Sequence, residues 1–227
     1  MSTRIKICGL KTPESVETAV NSGADMLGFV FAKGSPRYIN PEEAKPLIEL
    51  IPDYIDTVAV MLHPKQSEVD RVLNHVKVKY LQTDASDFDS FDLKGHTHPL
   101  KVYRDKETFD PSIIEDKPFA LFEGPVSGTG NLVNQERAKL VCGSKKALLA
   151  GGLNTDNIKD VLTHVRPFGV DVSSGVEIER GIKSEQKIIE FIRIVRAFDK
   201  EINHGCCLLY TSPSPRDATL SGMPAGG

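Results

Sequence analysis

Three residues of this 227-residue chain have side chains that could transform a small anionic molecule. Cys8 places a thiol at the end of an apolar run and directly before a glycine, in the segment RIKICGL. Arg37 lies in the segment KGSPRY, and a guanidinium can hold a carboxylate through two parallel hydrogen bonds. Glu123 follows the apolar run FALF, and a carboxyl group in a partly dry pocket can donate a proton. These residue types suit acid-base chemistry on a negatively charged ligand. Taken singly, each also has a structural reading: Cys8 as a packed apolar side chain, Arg37 as a surface charge and Glu123 as a solvated loop residue.

Two short segments near the C-terminal half add a candidate phosphate site. They contain Gly151 and Gly152 in the first segment and Ser173, Ser174 and Gly175 in the second. Glycine permits close approach of the backbone, and N–H groups at a helix start favour an anion, so the two segments together suit a phosphate. Either segment alone could equally be an ordinary turn. Asp171 lies between two valines and therefore needs a polar partner, which ribose hydroxyls would supply.

The elements that position these residues follow a repeating pattern of short apolar runs and amphipathic stretches. The predicted strands are 5–8, 26–31, 57–62, 78–82, 100–103, 119–122, 147–150 and 170–173, and predicted helices include 13–22, 41–51 and 155–165. Thr12, Asn40 and either Asn154 or Thr155 are the expected N-caps of those helices. Eight such units indicate right-handed βαβ connections and a parallel sheet.

At this length the economical closure of such a sheet is one α/β domain, a (β/α)8 TIM barrel of eight parallel strands. A doubly wound sheet that binds a dinucleotide would carry a Gly-x-Gly-x-x-Gly turn after the first strand. The turn here reads CGLKT and does not match. Reactive groups of a barrel lie at the carboxyl ends of its strands. That rule selects Cys8, Arg37, Asp84, Glu123, Gly151, Gly152, Asp171, Ser173, Ser174 and Gly175.

Composition excludes several classes of partner. The chain has 28 basic and 31 acidic residues, with no basic stripe of the kind that nucleic acid requires. No apolar run reaches the roughly 18 residues of a membrane span, and the N-terminus lacks the apolar stretch of a signal peptide. The four cysteines and six histidines have no zinc spacing, so no metal is expected. These features predict a cytoplasmic protein that acts on a small molecule.

The composition changes after Asn203 to a segment rich in Pro, Ser, Gly and Ala. Within it, CLLYTSPSPRD at 207–217 resembles the in-frame translation of a sequencing adaptor. A native disordered tail is the alternative. We therefore expect the barrel to comprise residues 1–204 and residues 205–227 to be a non-native, disordered tail.

Four segments resemble the phosphoribosylanthranilate isomerase family, (β/α)8 enzymes of tryptophan biosynthesis. They are KICGL, GADMLGFVFAKGSPRYINPEEA, LAGGLNTDNI and RPFGVDVSSGVE. The resemblance extends over 3–200 and is least specific between 78 and 145. It implies an Amadori rearrangement of N-(5-phosphoribosyl)anthranilate to 1-(2-carboxyphenylamino)-1-deoxyribulose 5-phosphate, without a cofactor.

The resemblance also implies roles for individual residues. Cys8 would be the base that removes the C2 proton, Arg37 would hold the anthranilate carboxylate, and Asp171 would bind the sugar. The backbone around Gly152, Ser174 and Gly175 would bind the phosphate. Both a monomer and a homodimer are compatible with the sequence.

The chain departs from the family pattern at three places. Glu123 aligns with an aspartate that is typically the general acid, and Asp84 aligns with a histidine. The segment 128–130 continues without the usual aromatic residue. Two other functions therefore stay open: another phosphosugar isomerase or epimerase, which would not need Arg37, and a non-catalytic binder of phosphorylated ligands.

Overall fold

The chain folds into a closed barrel of eight parallel strands that pair in sequence order. A computed structural model describes residues 2–93, 95–115, 117–125 and 133–208, with side chains described as far as 203. The barrel strands are β1 (Arg4–Cys8), β2 (Met26–Val30), β3 (Asp56–Val60), β4 (Tyr80–Asp84), β5 (His98–Arg104), β6 (Ala120–Glu123), β7 (Ala147–Ala150) and β8 (Gly169–Val172). Because β1 pairs with both β2 and β8, the sheet closes, and the predicted TIM barrel is confirmed.

Helices cover the outside of this barrel. They are α1 (Pro13–Ser22), α2 (Pro41–Glu49), α3 (Gln66–His75), α4 (Gln135–Ser144), α5 (Ile158–Val165) and α6 (Glu185–Leu208). Short 3-10 helices, Ala85–Asp89 and Pro111–Ile113, follow β4 and β5, and a hairpin of β9 (Glu177–Glu179) and β10 (Ile182–Lys183) follows β8. Within the described ranges, no helix combines the length and apolar character needed to cross a membrane.

Capping residues set the starts of the first two helices as predicted. The Thr12 side chain accepts a hydrogen bond from the Ser15 N–H at 3.3 Å, and the Asn40 side chain accepts one from the Glu43 N–H at 3.0 Å. A proline follows each cap, where its missing N–H costs no helical hydrogen bond. The caps therefore anchor α1 and α2 directly after the loops that follow β1 and β2.

Other predicted boundaries were wrong by a few residues. The fourth and sixth strands run two residues and one residue further than expected, so Asp84 and Glu123 are their last residues. Helix α2 ends at Glu49, before the predicted 51. Helix α5 starts at Ile158 after Asn157, and neither Asn154 nor Thr155 is its cap, because Asn154 is occupied with bonds inside the preceding turn.

The backbone of the last helix, α6, continues to Leu208. The division into a barrel at 1–204 and a non-native tail at 205–227 stays a prediction. Residues 209–227, which include most of the predicted tail, lie outside the described residues. The segment 128–130 and the residues that follow it as far as 132 lie outside them too.

Two hydrophobic cores hold the barrel together. One lies between the strands and the surrounding helices, and the other fills the inside of the barrel. The inner core includes Met26, Val58, Tyr80, Leu100, Leu121 and Leu148. Above it, at the carboxyl ends of the strands, the inward side chains become polar, beginning with Lys6 and Asp171. The inner core thus forms an apolar floor beneath a polar barrel mouth.

Gly169 lies at the start of β8, where the neighbouring strands β7 and β1 pack closely against its Cα. An alanine Cβ at this position would lie 2.6 Å from the Arg4 carbonyl oxygen and would overlap the Leu148 side chain. Overpacking of this kind costs about 1–3 kcal/mol. We expect Gly169→Ala to lower the free energy of unfolding by at least that amount, as measured by urea denaturation.

Gly143 in α4 is the matched control for this substitution. Among the described residues, no atom outside the backbone of α4 and the two chain neighbours lies within 4 Å of an added Cβ there. Gly143→Ala should be neutral or stabilise the protein by up to about 1 kcal/mol, since alanine is the better helix former. Equal unfolding energies for the two variants would contradict the close packing around β8.

Candidate active site

A cavity of about 450 Å³ lies at the carboxyl ends of the barrel strands. The predicted site residues that line it are Cys8, Arg37, Glu123, Gly151, Gly152, Asp171, Ser173 and Ser174. Asp84 and Gly175, which we also predicted, are not among the lining residues. Eight of the ten predicted residues therefore line one cavity at the barrel mouth, and the roles assigned to them stay predictions.

Cys8 is buried at the end of β1, next to a buried lysine. Alternation along β1 places Lys6 and Cys8 on the same side of the strand, and the charge of each group affects the pKa of the other. Gly28 on the neighbouring strand β2 makes room for both, because a Cβ there would lie 3.1 Å from Cys8 Sγ and 3.3 Å from Lys6 Cε. Any larger residue at this position would displace the thiol or the ammonium group.

Lys6 is fully buried and forms an ion pair with Asp171. Its Nζ lies 3.0 Å from Asp171 Oδ1, across the seam between β1 and β8. Burial lowers the pKa of Lys6, but Asp171 and Cys8 outweigh this effect and raise it above its usual value. Burial raises the pKa of the Cys8 thiol, and Lys6 and Lys183 partly oppose that rise. The site therefore holds a charged lysine beside a thiol.

Arg37 is held by a carboxylate of the chain itself. Its Nε and Nη2 donate to the two Glu177 carboxylate oxygens at 2.7 and 3.0 Å. Lys183 Nζ adds a contact of 2.9 Å to Glu177, and the Gly181 N–H donates to the same carboxylate. Burial alone would raise the pKa of Glu177, but Arg37, Lys183 and the Gly181 N–H bring it down to about 2. Glu177 is therefore ionised at neutral pH and fixes the orientation of the guanidinium.

Glu123 belongs to a second ion-pair group on the opposite side of the mouth. Its Oε2 accepts a hydrogen bond from Arg104 Nη1 at 2.6 Å. Arg104 Nε donates to Asp84 Oδ1 at 3.0 Å, so one guanidinium joins the two carboxylates. Asp84 thus orients Arg104 from behind the cavity wall, while Arg104 and Glu123 both line the cavity.

The two predicted phosphate segments lie against each other. Gly151 and Gly152 both have positive φ, at 96° and 66°, which favours glycine. Gly175 packs against the first segment, because a Cβ there would lie 2.8 Å from the Asn154 Cα. Since α5 starts only at Ile158, a phosphate bound here would contact loop N–H groups and not the helix terminus that we predicted.

Four charged residues that build this site are not among the predicted site residues. They are Lys6, Arg104, Glu177 and Lys183. The alternation of side chains along a strand places Lys6 and Cys8 on one face, and this was the available signal for Lys6. Arg104 directly follows the predicted strand 100–103, so the rule for the carboxyl ends of barrel strands was the available signal for it. Glu177 and Lys183 lie in the β9–β10 hairpin, whose contacts with Arg37 form only in the folded chain.

Comparison with known proteins identifies the family. The family model described as N-(5'phosphoribosyl)anthranilate (PRA) isomerase matches residues 5–194. An N-(5'-phosphoribosyl)anthranilate isomerase of Trichlorobacter lovleyi is 36% identical over 200 residues, which cover 84% of this chain and 96% of that protein.

Solved structures agree with this result. The phosphoribosyl anthranilate isomerase of Thermus thermophilus superposes with a TM-score of 0.75 at 28% identity, over 86% of this chain and 99% of that one. A phosphoribosyl anthranilate isomerase in complex with reduced 1-(o-carboxyphenylamino)-1-deoxyribulose 5-phosphate superposes with a TM-score of 0.65 at 25% identity, over the same shares. The chain therefore belongs to the N-(5'-phosphoribosyl)anthranilate isomerase family of tryptophan biosynthesis.

Proposed function

We propose that this chain isomerises N-(5-phosphoribosyl)anthranilate, with Cys8 as the base and Glu123 as the acid. The observation that carries the proposal is that one cavity is lined by a buried thiol, a carboxyl group, an arginine and the two glycine and serine segments. These groups match the reacting centre and the two anionic ends of the substrate. A family member bound to a reduced form of the product supports the choice of ligand.

The proposed steps return both catalytic groups to their starting states. Glu123, which must first bind a proton against the positive charge of Arg104, protonates the furanose ring oxygen, the C1–O bond breaks, and a protonated Schiff base forms. The Cys8 thiolate removes the C2 proton, and the electron pair of that C–H bond forms the C1–C2 double bond of an enolamine. The C2 hydroxyl then returns its proton to Glu123 while Cys8 protonates C1, which gives the ketone. No atom or electron is gained or lost.

The charges around Cys8 favour one anion at this position. Five of the described buried charged side chains lie around the thiol and form ion pairs with one another. Lys6, Lys183 and Arg37 are cations, and Asp171 and Glu177 are anions. Buried charges are costly unless they are balanced. A Cys8 thiolate would balance this group, and the Lys6 ammonium would be its direct partner. We therefore expect the rate to rise with pH as the thiol ionises.

The ion pair with Arg104 gives Glu123 a fixed position. A glutamate is one methylene longer than the family's aspartate, so its carboxyl group reaches further into the mouth. Arg104 Nη1 holds the carboxyl group through Oε2, at the cavity that both residues line. In this arrangement Arg104 sets the distance between the acid and the ring oxygen, which is the quantity that acid catalysis depends on most strongly.

The two anionic ends of the substrate would be bound at different parts of the mouth. Glu177 occupies Nε and Nη2 of Arg37, and Nη1 is the nitrogen that would donate to the anthranilate carboxylate. Loop N–H groups around Gly152 and Ser174 would hold the phosphate on the other side. Asp171, between these two positions, would accept hydrogen bonds from the sugar while keeping its ion pair with Lys6.

Complementation tests the proposed reaction. The full chain, expressed in a tryptophan auxotroph that lacks the isomerase, should restore growth without tryptophan. Cys8→Ala and Glu123→Gln should each abolish that growth, because either change removes a proton-transfer group worth about 10²- to 10⁴-fold in rate. Cys142→Ala is the control, since Cys142 lies on α4 outside the cavity lining.

Each failure in this experiment has its own meaning. A folded wild-type chain that does not restore growth would refute the isomerase proposal and leave a non-catalytic binder of phosphorylated ligands. Growth that persists with Glu123→Gln would refute only the choice of acid.

The reactivity of Cys8 tests its electrostatic partners. Lys6→Met should slow alkylation of Cys8 by iodoacetamide near neutral pH, because the thiolate loses its ammonium partner; each unit of pKa rise lowers the rate by about tenfold. Asp171→Asn should accelerate alkylation, because it removes a nearby negative charge. Mass spectrometry of the Cys8 peptide over a series of pH values measures both rates.

Two further variants serve as controls for the alkylation experiment. Lys159→Met removes an exposed lysine and should leave alkylation unchanged. Because Lys6→Met leaves Asp171 buried without its partner, the double variant Lys6→Met/Asp171→Asn provides a charge-balanced comparison. Identical pH profiles for all variants would show that Lys6 does not stabilise the thiolate.

A truncated substrate tests carboxylate recognition by Arg37. Arg37→Met should raise KM for N-(5-phosphoribosyl)anthranilate by about 10- to 100-fold, the value of one charge-assisted hydrogen bond. It should change KM little for N-(5-phosphoribosyl)aniline, which has no carboxylate.

Arg180→Met is the matched control, because Arg180 is an exposed arginine at the same mouth. If Arg180→Met and not Arg37→Met shows the carboxylate-dependent effect, the assignment to Arg37 is wrong. If neither does, another phosphosugar substrate is favoured.

A further inference from the structure

Lys33 is a cation at the barrel mouth that the protein itself does not pair. It lies in the loop after β2, is exposed and lines the cavity. Among the described residues, its ammonium group has no hydrogen-bond or ion-pair partner. With the exception of Arg180, the other charged residues of the lining form ion pairs within the protein: Arg37 with Glu177, Asp171 with Lys6, and Arg104 with Glu123. The charge of Lys33 is therefore available to an anionic ligand.

A tight turn fixes where Lys33 stands. The Ser35 N–H donates to the Ala32 carbonyl at 3.2 Å, which places Lys33 and Gly34 at the centre of a four-residue turn. Gly34 has a φ of 88°, a positive value of the kind that a type II turn requires at this position. The Ser35 hydroxyl oxygen accepts a hydrogen bond from the Arg37 N–H at 3.2 Å. The backbone that carries Lys33 is thus joined directly to the backbone of Arg37.

Arg37 alone gives a ligand carboxylate an incomplete set of donors. Glu177 occupies Nε and Nη2 of Arg37, so the ligand is left with Nη1. A carboxylate has two oxygens and about four positions that accept hydrogen bonds. The carboxylate that we assign to Arg37 therefore needs a second donor in the same part of the mouth. Lys33 lies on the same loop and lines the same cavity.

The apolar side of the cavity lies beside this loop. Val30 and Val60, the last residues of β2 and β3, line the cavity together with Met61. The candidate phosphate segments follow β7 and β8 instead. An aromatic ring suits the apolar side, and the sugar phosphate suits the glycine and serine segments. A ring bound in this way would carry its carboxylate towards the loop of Lys33 and Arg37.

We infer that Lys33 is a second substrate-binding cation, which donates to the carboxylate of N-(5-phosphoribosyl)anthranilate beside Arg37. This inference rests on the proposed function, since it requires a substrate with an aryl carboxylate. The buried ion pairs around Cys8 are balanced by the thiolate, so they leave no charge for the ligand. The carboxylate does not change during the reaction. The contact is therefore equal in substrate and transition state, and it acts on KM and not on kcat.

Kinetics of the wild type, Lys33→Met and Lys33→Arg test the inference. Lys33→Met should raise KM for N-(5-phosphoribosyl)anthranilate by about 3- to 10-fold, less than Arg37→Met, because an exposed ion pair contributes less than a buried one. It should leave kcat, and KM for N-(5-phosphoribosyl)aniline, within about twofold of the wild type. Lys33→Arg keeps the charge and should stay within about twofold for both substrates. An unchanged KM, or an equal rise for both substrates, would overturn the inference.

Two control variants separate a contact from the general charge of the surface. Lys45→Met removes an exposed lysine of α2 outside the cavity lining and should leave both KM values unchanged. Arg180→Met removes the other lining cation without an ion pair and should show no preference for the substrate that has a carboxylate. If either control shows the same carboxylate-dependent rise as Lys33→Met, the effect comes from net charge, and the inference is wrong.

The double variant Lys33→Met/Arg37→Met tests whether the two cations share one group of the ligand. If they do, the double variant should raise KM by less than the product of the two single effects, because side chains with a common partner are coupled. A full product would place Lys33 on another group and overturn the assignment to the carboxylate. A wild type that does not turn over N-(5-phosphoribosyl)anthranilate would refute the proposed function. A wild type that does, with an unchanged Lys33→Met variant, would refute only the role of Lys33.

Discussion

The ion pair between Lys6 and Asp171 lies at the seam where the barrel closes, and the chemistry of the mouth is arranged around it. β1 and β8 are 165 residues apart in sequence, and Lys6 and Asp171 face each other where these strands pair. Lys6 is fully buried, so losing either partner would leave an uncompensated charge in the barrel, at a typical cost of about 3–5 kcal/mol. When β1 pairs with β8 and closes the sheet, the Lys6 ammonium group is therefore also placed beside Cys8.

A continuous set of hydrogen bonds extends from this seam to Arg37. Ser173, at the end of β8, donates to the Cys8 carbonyl at 3.1 Å and accepts from Lys183 at 3.3 Å. Lys183 contacts Glu177, which in turn holds Arg37. The β9–β10 hairpin thus connects the thiol with the arginine in the loop after β2. A disturbance of the hairpin would alter the position of the arginine and the charge balance of the thiol together.

The sequence predicts the barrel well because local signals determine most of it. Apolar runs mark the strands, and Thr12 and Asn40 cap their helices as expected. The same reasoning locates Cys8, Arg37 and Glu123 at the mouth, because parallel strands end at one edge. It could not find that Glu177 binds Arg37 across 140 residues, since that pair forms only after the hairpin folds back. It also misplaced the start of α5, because Asn154 bonds within the preceding turn.

The two departures that the sequence resemblance indicates, at Asp84 and Glu123, meet at one guanidinium. Asp84 Oδ1 accepts a hydrogen bond from Arg104 Nε at 3.0 Å. Arg104 Nη1 donates to Glu123 Oε2 at 2.6 Å. A carboxylate at 84 fixes a guanidinium that an imidazole would not fix in this way, and that guanidinium restrains Glu123, the residue that we propose as the acid. Because both carboxylates bind the same guanidinium, the position of Glu123, the proposed acid, depends on Asp84 as well as on Arg104.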